Sequence, residues 1–525
     1  MPLPIFAPDE GAYLVRALYP DNLVANNPAV AAVINGAHLS VIRAVYMAGA
    51  PFIIGDRLAN SAAYLGGLLL LWRITTRGLF RGQRVALLLL AVAFAYYRFA
   101  FSNLAEGLFV GVLSLICVVS SQWYRTRPVA HALVAGGLMA ILVLVKPHGI
   151  AVLAGMAVLA SLDALTSRDW RRLPLRVALF AAAFFALGNL IQVQADEPVA
   201  NPLTFFVGNF YGGALAIRPP PQAMALAALA LGAMGSAVAV LAGVPIVIGI
   251  ADIFRRWRSD RGRFAAEGTD IVFVLLIVSL TATLAMVTVF TMKVAWEPSQ
   301  TKLLWGRYFE FYAPLLWLAA APTMARPAGR GVRFASAGVM LAGLVGLMIS
   351  FRAGIVLFPW DASILTAFFH SDPIRAPMDP SFPYRALAIT ATVLAAAALV
   401  FRLQPVQAGL GLILALSALS TWLDHVWLGP LVAQHDALEG DLRQVRSILP
   451  PVGDVVVLAP DANDGQLVFL RLEAKPLIYL GPPSQIDPDK LVGAAAVVVD
   501  GPETPPGGSW SAAYRGERLS LWRRP

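Results

Sequence analysis

Runs of about 20 predominantly apolar residues, the length needed to cross a bilayer core as a helix, recur along this chain from residue 56 to residue 428. Twelve are expected to be spans: 56–75, 84–101, 104–121, 129–146, 148–165, 175–195, 226–251, 270–292, 308–325, 331–350, 384–402 and 407–428. Hydrophobic residues make up 58% of the chain and charged residues 14%, with a mean hydropathy of +0.69. An average soluble domain carries roughly 25% charged residues. With so few polar groups a soluble fold of this size could not cover its own surface, whereas lipid removes that requirement. The expected fold class is a polytopic α-helical membrane protein of about 12 spans with a small C-terminal α/β extracytoplasmic domain.

The net charge of +9 does not point to nucleic acid, because the arginines fall in short clusters between apolar runs. Alternate loops carry Arg77, Arg81 and Arg84; Arg125 and Arg127; Arg168, Arg171, Arg172 and Arg176; Arg255, Arg256, Arg258, Arg261 and Arg263; and Arg326, Arg330 and Arg333. Loops of this kind stay in the cytoplasm. The intervening segments 1–55, 101–106, 195–225, 293–307 and 351–383 hold most of the acidic groups and are expected outside. The lone cysteine, Cys117, lies within an apolar run, which excludes an intrachain disulfide and marks it as a small buried hydrophobe.

Three regions follow. Residues 1–55 form a first outer loop with an acidic pair and, over 28–55, amphipathic helices at the membrane surface, interrupted by Asn35, Gly36, His38, Arg43 and Asp56. Residue 1 is thereby placed outside with no signal peptide before it, so either a first span is missing from this sequence or later spans carry the short N-terminus across. Residues 56–433 are the transmembrane helical domain, and 434–525 a small α/β periplasmic domain. In the latter, a polar helix over 434–448 precedes strands at 454–458, 476–480 and 495–499, a helix over 463–473 and a last strand from Tyr514 to Arg523. It has neither a phosphate-binding glycine loop nor a nucleophile elbow and reads as an accessory, acceptor-docking domain.

Ionisable groups at span ends are costly and therefore candidates for function. Four places on the expected outer face stand out. Asp9-Glu10 offers a general base and a second ligand, although an acidic dipeptide in a loop is ordinarily just solvated. Glu106 opens a span after a short turn, where it suits either a site or a helix dipole. Lys146 and His148, in Lys146-Pro147-His148-Gly149, suit a lipid phosphate as well as a snorkelling lysine and a turn. Lys302, Arg307 and Tyr308 enter the next span, where a guanidinium matches phosphate oxygens and an interfacial anchor is the plainer alternative.

In order and topology, these residues resemble the GT-C superfamily of membrane glycosyltransferases, within it the protein O-mannosyltransferase and aminoarabinose-transferase-like branch. The resemblance rests on Asp9-Glu10, Glu106, the Lys146-Pro147-His148-Gly149 turn and Arg307-Tyr308 before Pro314, and covers roughly residues 1–325. Family members normally have a span before the acidic pair, which this sequence lacks. The resemblance implies an inverting glycosyltransferase with a polyprenyl-phosphate-sugar donor and a lipid, glycan or protein acceptor, placed in the bacterial inner membrane. Asp9 would be the base; Glu10 and Glu106 would orient the acceptor or a divalent cation. Lys146, His148, Lys302, Arg307 and Tyr308 would hold the donor phosphate. No cofactor is certain. His148, His370, His425 and His435 are scattered, and a carboxylate site for magnesium or manganese stays open. The alternatives are a transporter or flippase of lipid-linked glycans, for which charges deep within spans would be expected, and a non-catalytic scaffold.

Overall fold

A computed structural model describes residues 8–18, 36–49, 52–102, 104–167, 171–194, 221–259, 268–293, 302–324, 326–357, 362–368, 383–401, 403–450, 453–459, 468, 472, 477–481, 483–507 and 510–524. Two short helices, α1 (Pro8–Leu18) and α2 (Gly36–Met47), precede the bundle. The bundle comprises α3 (Phe52–Thr75), α4 (Arg81–Ala93), α5 (Glu106–Trp123), α6 (Pro128–Val145), α7 (Gly149–Ser167), α8 (Leu173–Gln194), α9 (Pro221–Ser259), α10 (Gly268–Lys293), α11 (Tyr312–Ala319), α12 (Arg330–Arg352), α13 (Tyr384–Val400) and α14 (Pro405–Ile448).

Among the described residues, seven helices are long and apolar enough to cross a membrane: α5, α6, α8, α9, α10, α12 and the first half of α14. The apolar stretches Gly149–Leu165 and Tyr384–Val400 are shorter. Two expected spans are not continuous helices. The 84–101 run breaks after Ala93, where Phe94 turns extended, and resumes as one turn over Tyr97–Ala100. The 308–325 run is α11, a break at Ala320 and a turn over Ala321–Met324. The eight residues of α11, about 12 Å at 1.5 Å per residue, are all buried, so this half-helix lies within the bundle core.

One continuous apolar core joins α3 through α14. α3 lies along α5, α6 along α8, α7 along α10 and α9 along α12. Small residues set how closely two of these approach: a Cβ on Gly107 would stand 2.6 Å from the Asn60 carbonyl oxygen, and one on Gly111 2.6 Å from that of Ala63. This contact fixes the start of α5, and Glu106 with it. At the opposite end, where the arginines cluster, ion pairs staple neighbouring helices. Arg256 of α9 meets Asp270 of α10 at 2.5 Å and, within its own helix, Asp252 at 2.8 Å, and Arg176 of α8 meets Asp163 of α7 at 3.5 Å.

α14 is one helix of 44 residues, about 66 Å long, so the compositional change at 434 falls inside it. Its last turns support a five-stranded sheet of β1 (Asp454–Leu458), β2 (Leu477–Gly481), β3 (Ala494–Asp500), β4 (Ser511–Arg515) and β5 (Leu519–Arg523), in the order β2-β1-β3-β5-β4. β1 pairs parallel with β2 and β3, while β5 pairs antiparallel with β3 and β4. The expected strand from Tyr514 to Arg523 is therefore a hairpin. The chain reverses over Gly516 to Arg518, whose backbone N–H groups at Glu517 and Arg518 point to Asp441 on α14. Most of the expected 463–473 helix lies outside the described residues.

Alternation along the strands divides the sheet. Val456, Leu458, Val497, Val499 and Trp522 face one small core. Val455, Val457, Ala496, Val498, Leu519 and Leu521 join a second, together with Leu438, Leu442 and Val445 of α14 and with Leu14, Val15, Leu39 and Ile42 of α1 and α2. The segment expected at the membrane surface is thus bound to the C-terminal domain through one apolar cluster. Arg43 Nε also donates to the Ala17 carbonyl at 2.8 Å, tying α2 to the end of α1.

Candidate functional site

The helix ends opposite the arginine-rich turns carry the predicted polar groups. Glu106 opens α5, where a carboxylate complements the exposed N–H groups of the first turn. Lys146 caps the end of α6 in an extended conformation, as the residue before a proline must. The chain then folds back tightly: the Gly149 N–H donates to the Lys146 carbonyl at 2.9 Å, and a Cβ on Gly149 would stand 2.8 Å from the Val143 nitrogen. This return places the Lys146 ammonium on Glu106 Oε1, both side chains being buried.

Arg307 sits in a single 3-10 turn, Gly306–Tyr308, held from two sides. The Tyr96 hydroxyl, delivered by the break after α4, donates to the Arg307 carbonyl at 2.9 Å. Behind the turn, Glu310 accepts from the N–H of Ser363 at 2.7 Å, the Ser363 hydroxyl and the N–H of Leu365 at 3.3 Å. A Cβ on Gly306 would come within 2.7 Å of Glu310 Oε1, so the turn packs directly on that carboxylate.

Tyr308 joins the pieces. The Lys146 ammonium and the Arg307 guanidinium each lie 5.1 Å from its ring centroid, and Arg307 also donates to its hydroxyl at 3.2 Å. The His148 ring packs against it, tilted, at 4.3 Å, and Trp305 lies 5.8 Å away. His148, Tyr308, Met286, Val287 and Phe290 line a small cleft. Glu106, Lys146, His148, Arg307 and Tyr308 are therefore gathered in one place. Lys302 is exposed, and its carbonyl accepts from the Val356 N–H at 2.7 Å.

The acidic pair reaches this region through α3. Asp9 stands in the first turn of α1, and its side chain lies outside the described residues. Glu10 is fully buried and pairs with Arg57 of α3 at 3.0 Å. One turn further along α3, Asn60 Oδ1 accepts from the Leu108 N–H at 3.0 Å, in the first turn of α5 beside Glu106. Beside the Glu10–Arg57 pair, the His38 ring lies 3.4 Å from Asp56 and edge-on to Tyr13.

Sequence reading missed Arg57, Tyr96 and the buried clamp of Glu310. It also missed Arg98, which bonds Asp424 of α14 and the Ala362 carbonyl. The available signal was Asp56-Arg57, opposite charges opening an apolar run. No group of three or more His, Cys, Asp or Glu side chains suited to a metal ion occurs among the described residues. His425 is exposed, and the side chains of His370 and His435 lie outside the described residues. Glu10 is paired with Arg57, and Glu106 gives one carboxylate oxygen to Lys146.

No family model matches the sequence, and no curated protein matches it. Two solved structures of ArnT from Cupriavidus metallidurans do resemble the fold. The apo form aligns with a TM-score of 0.51 and 18% identity over 99% of this chain and 93% of that one. The form bound to undecaprenyl phosphate aligns at 0.52 and 17%, over 99% and 94%. The Archaeoglobus fulgidus oligosaccharyltransferase aligns at only 0.39 and 13%, over 94% and 66%. Over nearly its whole length this chain thus shares the fold of the ArnT structures.

Proposed function

We propose that the chain is an inverting glycosyltransferase, moving a sugar from a polyprenyl-phosphate donor to an acceptor hydroxyl at the periplasmic face of a bacterial inner membrane. The observation that carries this reading is the placing of Lys146 and Arg307 over one aromatic ring, at the bundle end away from the arginine-rich turns. Two cations held at a helix-bundle rim suit a lipid phosphate, and the guanidinium fork matches its oxygens. The likeness to ArnT, one structure of which holds undecaprenyl phosphate, supports the same donor class.

The chemistry follows from these groups. Asp9 accepts the proton of the acceptor hydroxyl, and the oxygen attacks the anomeric carbon on the face opposite the phosphate. The bond from that carbon to the phosphate oxygen breaks, and its electron pair stays on the phosphate. Arg307 and Lys146 stabilise the growing charge, in a buried setting where such contacts act strongly. Glu10, fixed by Arg57, holds α1 in register so that Asp9 meets the acceptor. Lys302, an exposed cation, adds to the positive field that draws the anionic headgroup in.

Purified protein in nanodiscs, supplied with undecaprenyl-phosphate-linked sugars and membrane acceptors, should release undecaprenyl phosphate. Asp9→Asn should abolish that release while the melting temperature holds. Full turnover by Asp9→Asn would remove the base from the scheme.

A further inference from the structure

Two buried side chains beside the phosphate cations have atoms that nothing in the protein satisfies. Glu106 gives Oε1 to Lys146, but its Oε2 is buried without a hydrogen-bond partner. His148 is buried, and neither Nδ1 nor Nε2 has one. The two flank a common wall. Phe109, one turn after Glu106 on α5, lies 6.2 Å from the His148 ring, and the Tyr308 ring lies 4.3 Å from it. Polar atoms left bare in a buried site cost about 1–3 kcal/mol each, so such atoms call for a partner from outside the chain.

The chemistry of these atoms selects the ligand. Glu106 Oε2 can only accept and needs a donor. An ionised phosphate has none and would be repelled. A metal ion or an ammonium is disfavoured because Lys146 already neutralises this carboxylate and Arg307 adds a second positive charge nearby. His148 lies in the turn between α6 and α7, where burial and then the charges of Lys146 and Arg307 favour the neutral ring. A neutral imidazole offers one donor and one acceptor. A group that both donates and accepts, beside an anchored phosphate, is a sugar hydroxyl.

We propose that Glu106 Oε2 and His148 form a subsite for the hydroxyls of an uncharged sugar on the lipid donor, His148 reading the sugar and not the phosphate. This rests on the lipid-phosphate reading above and names the substrate class within it: a neutral, hydroxylated sugar in preference to an amino sugar.

The test is binding of the full chain in nanodiscs, by microscale thermophoresis, without acceptor. The probes are bare undecaprenyl phosphate and undecaprenyl phosphate carrying glucose, mannose, galactose or 4-amino-4-deoxyarabinose. At least one neutral-sugar lipid should bind about tenfold more tightly than the bare lipid, the scale of one well-made polar contact. His148→Ala should erase that preference and leave bare-lipid affinity within about threefold, and His148→Asn, which keeps a donor and an acceptor, should restore part of it. Glu106→Gln should also lose the preference while holding the bare lipid as well as before or better, since Lys146 is released. Equal binding of all lipids by the wild type, a preference for the amino sugar alone, or loss of bare-lipid affinity in His148→Ala as large as the loss for sugar lipids would overturn the subsite. So would an unchanged donor preference in both His148→Ala and Glu106→Gln with only the acceptor KM raised, which would give the hydroxyl to the acceptor. Failure of bare undecaprenyl phosphate to bind at all would instead overturn the lipid-phosphate reading beneath it.

Discussion

Lys146 and Arg307, 161 positions apart, each hold their charge 5.1 Å from the ring centroid of Tyr308. The ring faces, and not the hydroxyl alone, keep both cations in place. Tyr308→Leu should weaken binding of undecaprenyl phosphate by about five- to thirtyfold, in keeping with two cation–π contacts of about 0.5–1 kcal/mol each. Tyr308→Phe keeps the ring, gives up the 3.2 Å bond from Arg307 and should stay within about threefold. A titration in which Phe and Leu weaken binding alike would show that the ring faces do not matter.

Glu10 and Arg57 form an ion pair with no exposure on either side. Removing one partner strands a buried charge. Arg57→Ala should therefore cost about 3–5 kcal/mol, and the double change Arg57→Met with Glu10→Leu much less. Thermal unfolding in detergent, followed by tryptophan fluorescence, measures both. If Arg57→Ala melts with the wild type, the pair does not hold α1 to the bundle.

Asp441 links α14 to the β4–β5 hairpin and makes the domain sensitive to acid. Burial pushes its carboxyl up. The Leu519 N–H, the Tyr514 hydroxyl and the N–H groups of Arg518 and Glu517 together outweigh burial and hold it below the ordinary carboxylate range. The same bond pushes Tyr514 up to about 12. A lowered folded-state value means that the folded form binds fewer protons than the unfolded one in mild acid. The stability Asp441 contributes is then fully present above about pH 4 and is lost as the pH falls through the lower folded value. Hydrogen exchange of the 511–523 amides should quicken over that window in the wild type. In Asp441→Asn it should be fast already at neutral pH, with no such step. A step that survives the substitution assigns the titration to another group.

Much of this architecture is legible in the chain. Apolar runs and alternating arginines locate the helices and their two ends, because hydrocarbon thickness and loop charge act on local sequence. Glu106, Lys146, His148, Arg307 and Tyr308 could be named for the same reason: each is a polar residue at the end of an apolar run. Their partners could not. Arg57 pairs with Glu10 across 47 positions, Tyr96 reaches the Arg307 carbonyl across 211, and Glu310 accepts from Ser363 across 53. Such pairings depend on helix packing, on which local pattern is silent. The breaks after Ala93 and at Ala320 were hidden similarly, since a buried broken helix has the same composition as a continuous span. The binding of α1 and α2 to the sheet was masked by their amphipathic pattern, which serves a lipid surface and a protein surface equally well.

Affinity for bare undecaprenyl phosphate in nanodiscs, compared between wild type, Arg307→Ala and Lys302→Ala, tests the central claim most directly. Arg307→Ala should weaken binding by at least about tenfold, as expected for a buried charge-assisted contact, and Lys302→Ala by less than about threefold, because that side chain is exposed. Equal affinity in wild type and Arg307→Ala, with both proteins folded, would contradict a lipid-phosphate site on the Tyr308 platform.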